Sequence, residues 1–171
     1  DPILIASHLI IALQQIISRN NNPFNPSVLS ITAINGGTTT NVIPENVKLM
    51  GTFRAMDEQW RFKAHELIRE TATNICRSMG GDVELHIDVG YPCVMNNENL
   101  TANAFQLAKE FMGADKVSET ELRMGAEDFG YYAQQIPACF YRLGTMNAAK
   151  GITAAAPAFT KSLAVLISGY I

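Results

Sequence analysis

Val83-Glu84-Leu85-His86-Ile87-Asp88-Val89 alternates apolar and polar residues without a break. A period of two puts the apolar members on one face of a strand and the polar ones on the other. The stretch therefore reads as a strand with one buried side, and what precedes it decides the fold. Asp57 opens a helical run whose apolar stripe is Trp60, Ala64, Leu67, Ile68, Ile75 and Met79, and Gly80-Gly81 stops it. Ahead of that helix, residues 27–34 and 47–55 alternate like strands, with Leu29, Ile31 and Ala33 sharing one side of the first and Val47, Leu49 and Phe53 one side of the second. The chain opens on Asp1-Pro2-Ile3, an N-cap, a proline at the first helical position and the start of an apolar run. Polar residues then recur at 7, 8, 14, 15, 18 and 19, which is helical spacing with one solvent face. The order is α-β-β-α-β. One more strand ahead of Asp1 would complete β-α-β-β-α-β, the split βαβ or ferredoxin-like arrangement. A chain that begins on a helix cap with that first strand missing is expected to be a piece of something longer.

Gly90-Tyr91-Pro92 and Asn96-Asn97-Glu98-Asn99 mark a boundary. Beyond it, 100–112 and 127–135 read as helices, 138–143 as a short buried strand and 162–170 as a final apolar helix. This α-α-β-α pattern is too thin to make its own sheet and looks like the tail of an α/β domain. The expected division is a first domain at 1–90 and a second at 91–171.

Of 171 residues, 47% are apolar and 17% charged, enough to bury a core and too apolar for a disordered chain. Lys and Arg number 13 against 16 Asp and Glu, a formal net charge of −3, with no basic run or stripe. That argues against nucleic acid or anionic lipid as a partner. No unbroken apolar run approaches the roughly 18–20 residues that span a bilayer, because Ser7, His8, Gln14 and Gln15 interrupt the richest one. Cys76, Cys93 and Cys139 are too few and too scattered for a disulfide framework. Isolated thiols fit a reducing, cytoplasmic compartment and buried, inert roles.

Several constellations carry two readings. Glu84, His86 and Asp88 would share a strand face and could offer metal ligands, but the polar outer side of a one-sided sheet explains them equally. His8 and His65 lack the HExxH spacing that sets two imidazoles on one helix face. Gly36-Gly37-Thr38-Thr39-Thr40 invites a phosphate-loop reading, yet it lacks the Gly-Lys-Ser/Thr ending and precedes a strand where a P-loop has its helix. Glu127-Asp128, after Met124-Gly125-Ala126, stands at a helix start. It either complements the helix dipole or carries a carboxylate into a cleft. No Gly-x-Ser-x-Gly elbow is present.

Five motifs together resemble a family. Asp1-Pro2-Ile3 with its helix, Gly36-Gly37-Thr38-Thr39-Thr40-Asn41-Val42-Ile43-Pro44 and Gly51-Thr52-Phe53-Arg54 resemble the lid domain of the M20 metallopeptidases. The likeness is to the amidohydrolase branch that includes hippurate hydrolase, auxin-conjugate hydrolases and N-acetyldiaminopimelate deacetylase. Met124-Gly125-Ala126-Glu127-Asp128-Phe129 and Leu143-Gly144-Thr145 resemble the C-terminal catalytic segment of that branch. The resemblance implies a ferredoxin-like lid at 1–90 used to form a homodimer, and at 91–171 the C-terminal part of an α/β catalytic domain. It implies two divalent metals, zinc or manganese, whose bridging water attacks an amide while a nearby Glu acts as general base. Most of those ligands belong to the family's N-terminal half and are not in this chain. The last ligand, a His two residues before a Pro and four before a Phe, falls on Ala155, ahead of Pro157 and Phe159. Thr160-Lys161-Ser162 replaces the acidic residues expected next, so 154–162 is either a degenerate site or an incomplete, alanine-filled stretch.

By the same resemblance Asn41 and Arg54 contact substrate, Arg54 holding its carboxylate, and Glu127 is a third candidate contact. The expected function is a fragment of a metal-dependent amidohydrolase acting on N-acyl amino acids, with the fragment itself inert and holding no metal. The rival from another class is a non-catalytic ferredoxin-like module that binds small molecules or dimerises.

Overall fold

The computed structural model describes residues 1–120, 123–125, 127–144, 151 and the backbone of 165–167. The chain forms two compact units, Asp1–Gly90 and Tyr91–Ile171.

In the first unit, α1 (Pro2–Asn20) is followed by β1 (Ser27–Asn35), β2 (Lys48–Ala55) and α2 (Glu58–Ser78). Each helix is capped by an aspartate. The Asp1 side chain accepts from the Ile3 amide at 2.9 Å and that of Asp57 from the Trp60 amide at 2.6 Å, satisfying donors the helix cannot. β1 and β2 pair antiparallel, with the register slipping between Ile31 and Ala33. Gly51 sits at that bulge because a Cβ there would lie 2.5 Å from the Ser30 carbonyl oxygen. The core joins the inner faces of the two helices, Leu9, Leu13 and Ile16 with Trp60, Ala64, Ile68, Ala72 and Cys76. Leu29, Ile31, Leu49 and Phe53 of the hairpin pack against it. The Trp60 indole N–H donates to the Ser27 hydroxyl at 3.1 Å, pinning α2 to the start of β1.

Three expectations need correction. Residues 83–89 form no strand, and β1 and β2 make a two-stranded sheet among the described residues. Only Val83 and Ile87 reach the core, while Leu85 and Val89 are exposed, so burial recurs every fourth residue and the alternation never becomes two distinct faces. The Val89 carbonyl, which a ladder would use, accepts instead from the buried Arg61 guanidinium. The observed order is thus α-β-β-α followed by a docked segment. Second, α1 does have the length and composition of a membrane-crossing helix. Its Ala6, Leu9, Leu13 and Ile16 are buried, as in the core helix of a globular unit.

The third correction lies in the second unit. It contains α3 (Glu98–Met112), a 3-10 turn at Ala114–Lys116, β3 (Val117–Glu119), α4 (Phe129–Ala133), β4 (Tyr141–Leu143) and β5 (Val165–Ile167). β5 is the middle of a three-stranded sheet, parallel to β3 and antiparallel to β4. The final helix expected at 162–170 is therefore a strand where it is described. A short apolar run cannot be told from a buried strand by periodicity, and Val165 and Ile167 are β-branched. β3 has no sequence signal of its own, being three residues long, and α4 is shorter than the 127–135 expected.

Candidate functional site

The loop between β1 and β2 bounds an open groove of about 790 Å³, lined by Gly36, Gly37, Thr38, Thr39 and Lys48 among others. Gly37 takes a left-handed φ of 73°, and a Cβ on Gly36 would meet Val47 Cγ2 at 2.6 Å. Gly37 is thus required by its backbone angle and Gly36 by the Val47 side chain packed against it, which accounts for both without a phosphate. Asn41 is exposed in this loop, next to Val42, which lines the groove. Arg54 is exposed near the far end of β2, opposite Val28 of β1. It lies six residues along the strand from Lys48, roughly 20 Å at about 3.4 Å per residue. The hairpin thus carries the groove at one end and Arg54 near the other.

Glu127 belongs to the second unit and precedes α4. Its dipole-capping reading does not hold in side-chain terms, since no side chain caps α4. Its carboxylate instead faces Arg142 of β4, with Oε1 3.7 Å from Nη2 and both side chains 41% exposed. At that exposure water screens the pair, and its value is in orientation more than in stability. Arg142 was not legible in the sequence. It sits in a short apolar strand, fifteen residues from Glu127, and nothing local marks the pairing.

The histidines do not converge. His65 is buried, its ring edge-on to Phe53 and Phe62 at 6.0 and 5.9 Å. Burial, reinforced by the Arg61 and Arg69 cations, holds its pKa below the usual imidazole value. His8 and His86 are exposed. Burial pushes the Cys76 thiol up, away from a reactive thiolate. Among the described residues no three His, Cys, Asp or Glu side chains are grouped to hold a metal ion. The Glu84, His86 and Asp88 set is therefore not a site. Ala155, with Ala126, Thr145, Pro157 and Phe159, lies outside the described residues.

The chain is thus a mixed α and β structure, the first unit a helix-flanked hairpin and the second a small mixed sheet. The model of peptidase family M20/M25/M40 matches residues 10–169, and the chain belongs to that family. It is 37% identical over 153 residues to thermostable carboxypeptidase 2 of Saccharolobus solfataricus, covering 88% of this chain and 38% of that protein. It is 37% identical over 136 residues to hippurate hydrolase of Campylobacter jejuni, covering 78% of this chain and 35% of that protein. A solved Bacillus subtilis structure, described as a dinuclear metal-binding peptidase of the M20 family, superposes with a TM-score of 0.64. It is 31% identical and covers 80% of this chain and 34% of that one. The chain thus spans a little over a third of the length of these relatives.

Proposed function

We propose that the chain is part of a metal-dependent amidohydrolase that hydrolyses N-acyl amino acids or related amides bearing a free carboxylate. The observation that carries this reading is the exposed Arg54 guanidinium at the end of β2, in a family that includes a hippurate hydrolase. A guanidinium presents a planar donor fork that meets a carboxylate two-for-two. Asn41, in the loop at the other end of the hairpin, offers one donor and one acceptor group and is a separate polar contact, too far along the strand to share one small substrate with Arg54 of the same chain. In the second unit, Glu127, paired with Arg142, is a separate candidate contact. These residues bind and orient. A divalent metal in the full-length enzyme supplies a nucleophilic water near neutral pH, but the described residues do not assemble its site, and these 171 residues alone are inert. The unit Asp1–Gly90 forms a homodimer, using apolar surface such as Leu4 and Ile11, which are 52% and 73% exposed. Sedimentation of the full-length protein as a monomer at tens of micromolar would count against that contact.

The test is Arg54→Lys in the full-length protein, which keeps the charge and loses the fork. KM for a carboxylate-bearing amide should rise about tenfold, the scale of one charged hydrogen bond. KM for the esterified analogue should barely move. Equal losses on both would place Arg54 in folding or assembly and remove its binding role.

A further inference from the structure

Within the second unit the segment just before α3 reaches across to both elements that carry the Glu127–Arg142 pair. The Asn96 side chain makes two hydrogen bonds to a single residue 44 positions away. Its Nδ2 donates to the Phe140 carbonyl at 3.0 Å, and the Phe140 amide donates to its Oδ1 at 2.7 Å. That pattern matches a strand ladder, with a side-chain amide standing in for a backbone one, and it needs both halves of the amide. The neighbouring Asn97 amide donates to the Ala138 carbonyl at 2.8 Å, while its side chain caps α3 through the Leu100 amide. On the other side, the Pro92 carbonyl occupies the space a Cβ on Gly130 would need, so α4 rests directly on this segment.

The clamped Phe140 stands two residues before Arg142 along the chain and packs against Phe129, two residues after Glu127, with the ring centres 5.3 Å apart. We propose that Asn96 is a positioning residue: by gripping Phe140 it fixes β4 and α4 so that Arg142 holds Glu127 in the orientation substrate meets. The inference rests on the reading of Glu127 as a substrate contact.

Asparagine can do this and aspartate cannot, until it is protonated. In Asn96→Asp at neutral pH a carboxylate oxygen would face the Phe140 carbonyl, two acceptors with no hydrogen between them. Below its pKa the acid again accepts from the Phe140 amide and donates to its carbonyl, and the clamp re-forms. Asn96→Ala has no such rescue.

The test measures KM and kcat of the full-length protein with hippurate, each variant compared with wild type at the same pH. Asn96→Asp should raise KM about tenfold at pH 7.5, with kcat within about threefold, the scale of a lost hydrogen bond plus a repulsion. Asn96→Ala, which removes both bonds, should raise KM to a similar degree. Hydrogen exchange at the Phe140 amide is the independent readout, and Asn96→Ala should speed it at least about tenfold by removing its acceptor. Glu127→Gln separates the two layers of the argument. If Glu127→Gln raises KM but neither Asn96 variant does, the positioning role is overturned. If Glu127→Gln leaves KM unchanged, the substrate role of Glu127 fails, and unchanged Phe140 exchange in Asn96→Ala would then sink the clamp as well.

Discussion

Arg61→Met tests how residues 83–90 are held without a ladder. Arg61 is 8% exposed and its guanidinium donates to the Val89 carbonyl; it also donates from Nε to Glu58 at 3.1 Å and from Nη2 to the same oxygen. Its guanidinium lies 4.9 Å from the centre of the Phe62 ring. Methionine keeps the apolar stem and removes every one of these contacts. A hydrogen bond from a charged group contributes about 1.5–3 kcal/mol, but the Glu58 side chain is 30% exposed, so that arm counts near the low end. The loss should total about 2–3 kcal/mol. With a urea slope of about 1–3 kcal/mol per molar, the midpoint should fall by about 1–2 M. Trp60, the only tryptophan in the chain, lies in the same core and reports the first unit alone. Its fluorescence in urea is the assay, with limited proteolysis within 83–90 as a second readout. Arg61→Lys keeps the charge without the fork and should fall between. A midpoint moved by less than about 0.3 M, with unchanged proteolysis, would mean that Val83 and Ile87 anchor the segment without Arg61.

Gly51→Ala should destabilise the first unit by about 1–3 kcal/mol, because its Cβ would lie 2.5 Å from the Ser30 carbonyl oxygen and 3.0 Å from Ile31 Cδ1; the same fluorescence titration measures it. His65 has a folded pKa below its unfolded one, so the unfolded chain binds the extra proton. Stability should be unaffected by this group above about pH 6.5 and fall as pH drops below it, and His65→Gln should flatten that part of the profile. Cys76, buried with its pKa raised, should be alkylated far more slowly than the half-buried Cys93 and Cys139 in the folded protein, as mass spectrometry of iodoacetamide-treated samples would read.

The two long helices and the hairpin were legible because each carries several turns of period or a long alternation and an explicit cap. Asp1 and Asp57 accept the bonds their positions promise. Segment 83–89 shows why alternation is insufficient. Whether such a stretch pairs depends on which carbonyls are already taken, and the Val89 carbonyl is taken by a side chain 28 residues away. The same holds for the apolar run around Val165, where partners at 117 and 141 decide strand over helix. At the candidate site, Asn41, Arg54 and Glu127 are proposed from motif resemblance, and no local pattern marks them. Nor does one mark their supports. Asn96 looked like one polar residue in a boundary, since a clamp on Phe140 leaves no mark on its own neighbours.

If the parent enzyme recognises its amide through a free carboxylate, as proposed, kcat/KM of the full-length, metal-loaded protein for hippurate should exceed that for hippurate methyl ester by at least about tenfold at pH 7.5 and fixed ionic strength, the scale of a charge-assisted bidentate contact. Equal kcat/KM for acid and ester, or a preference for the ester, would contradict it.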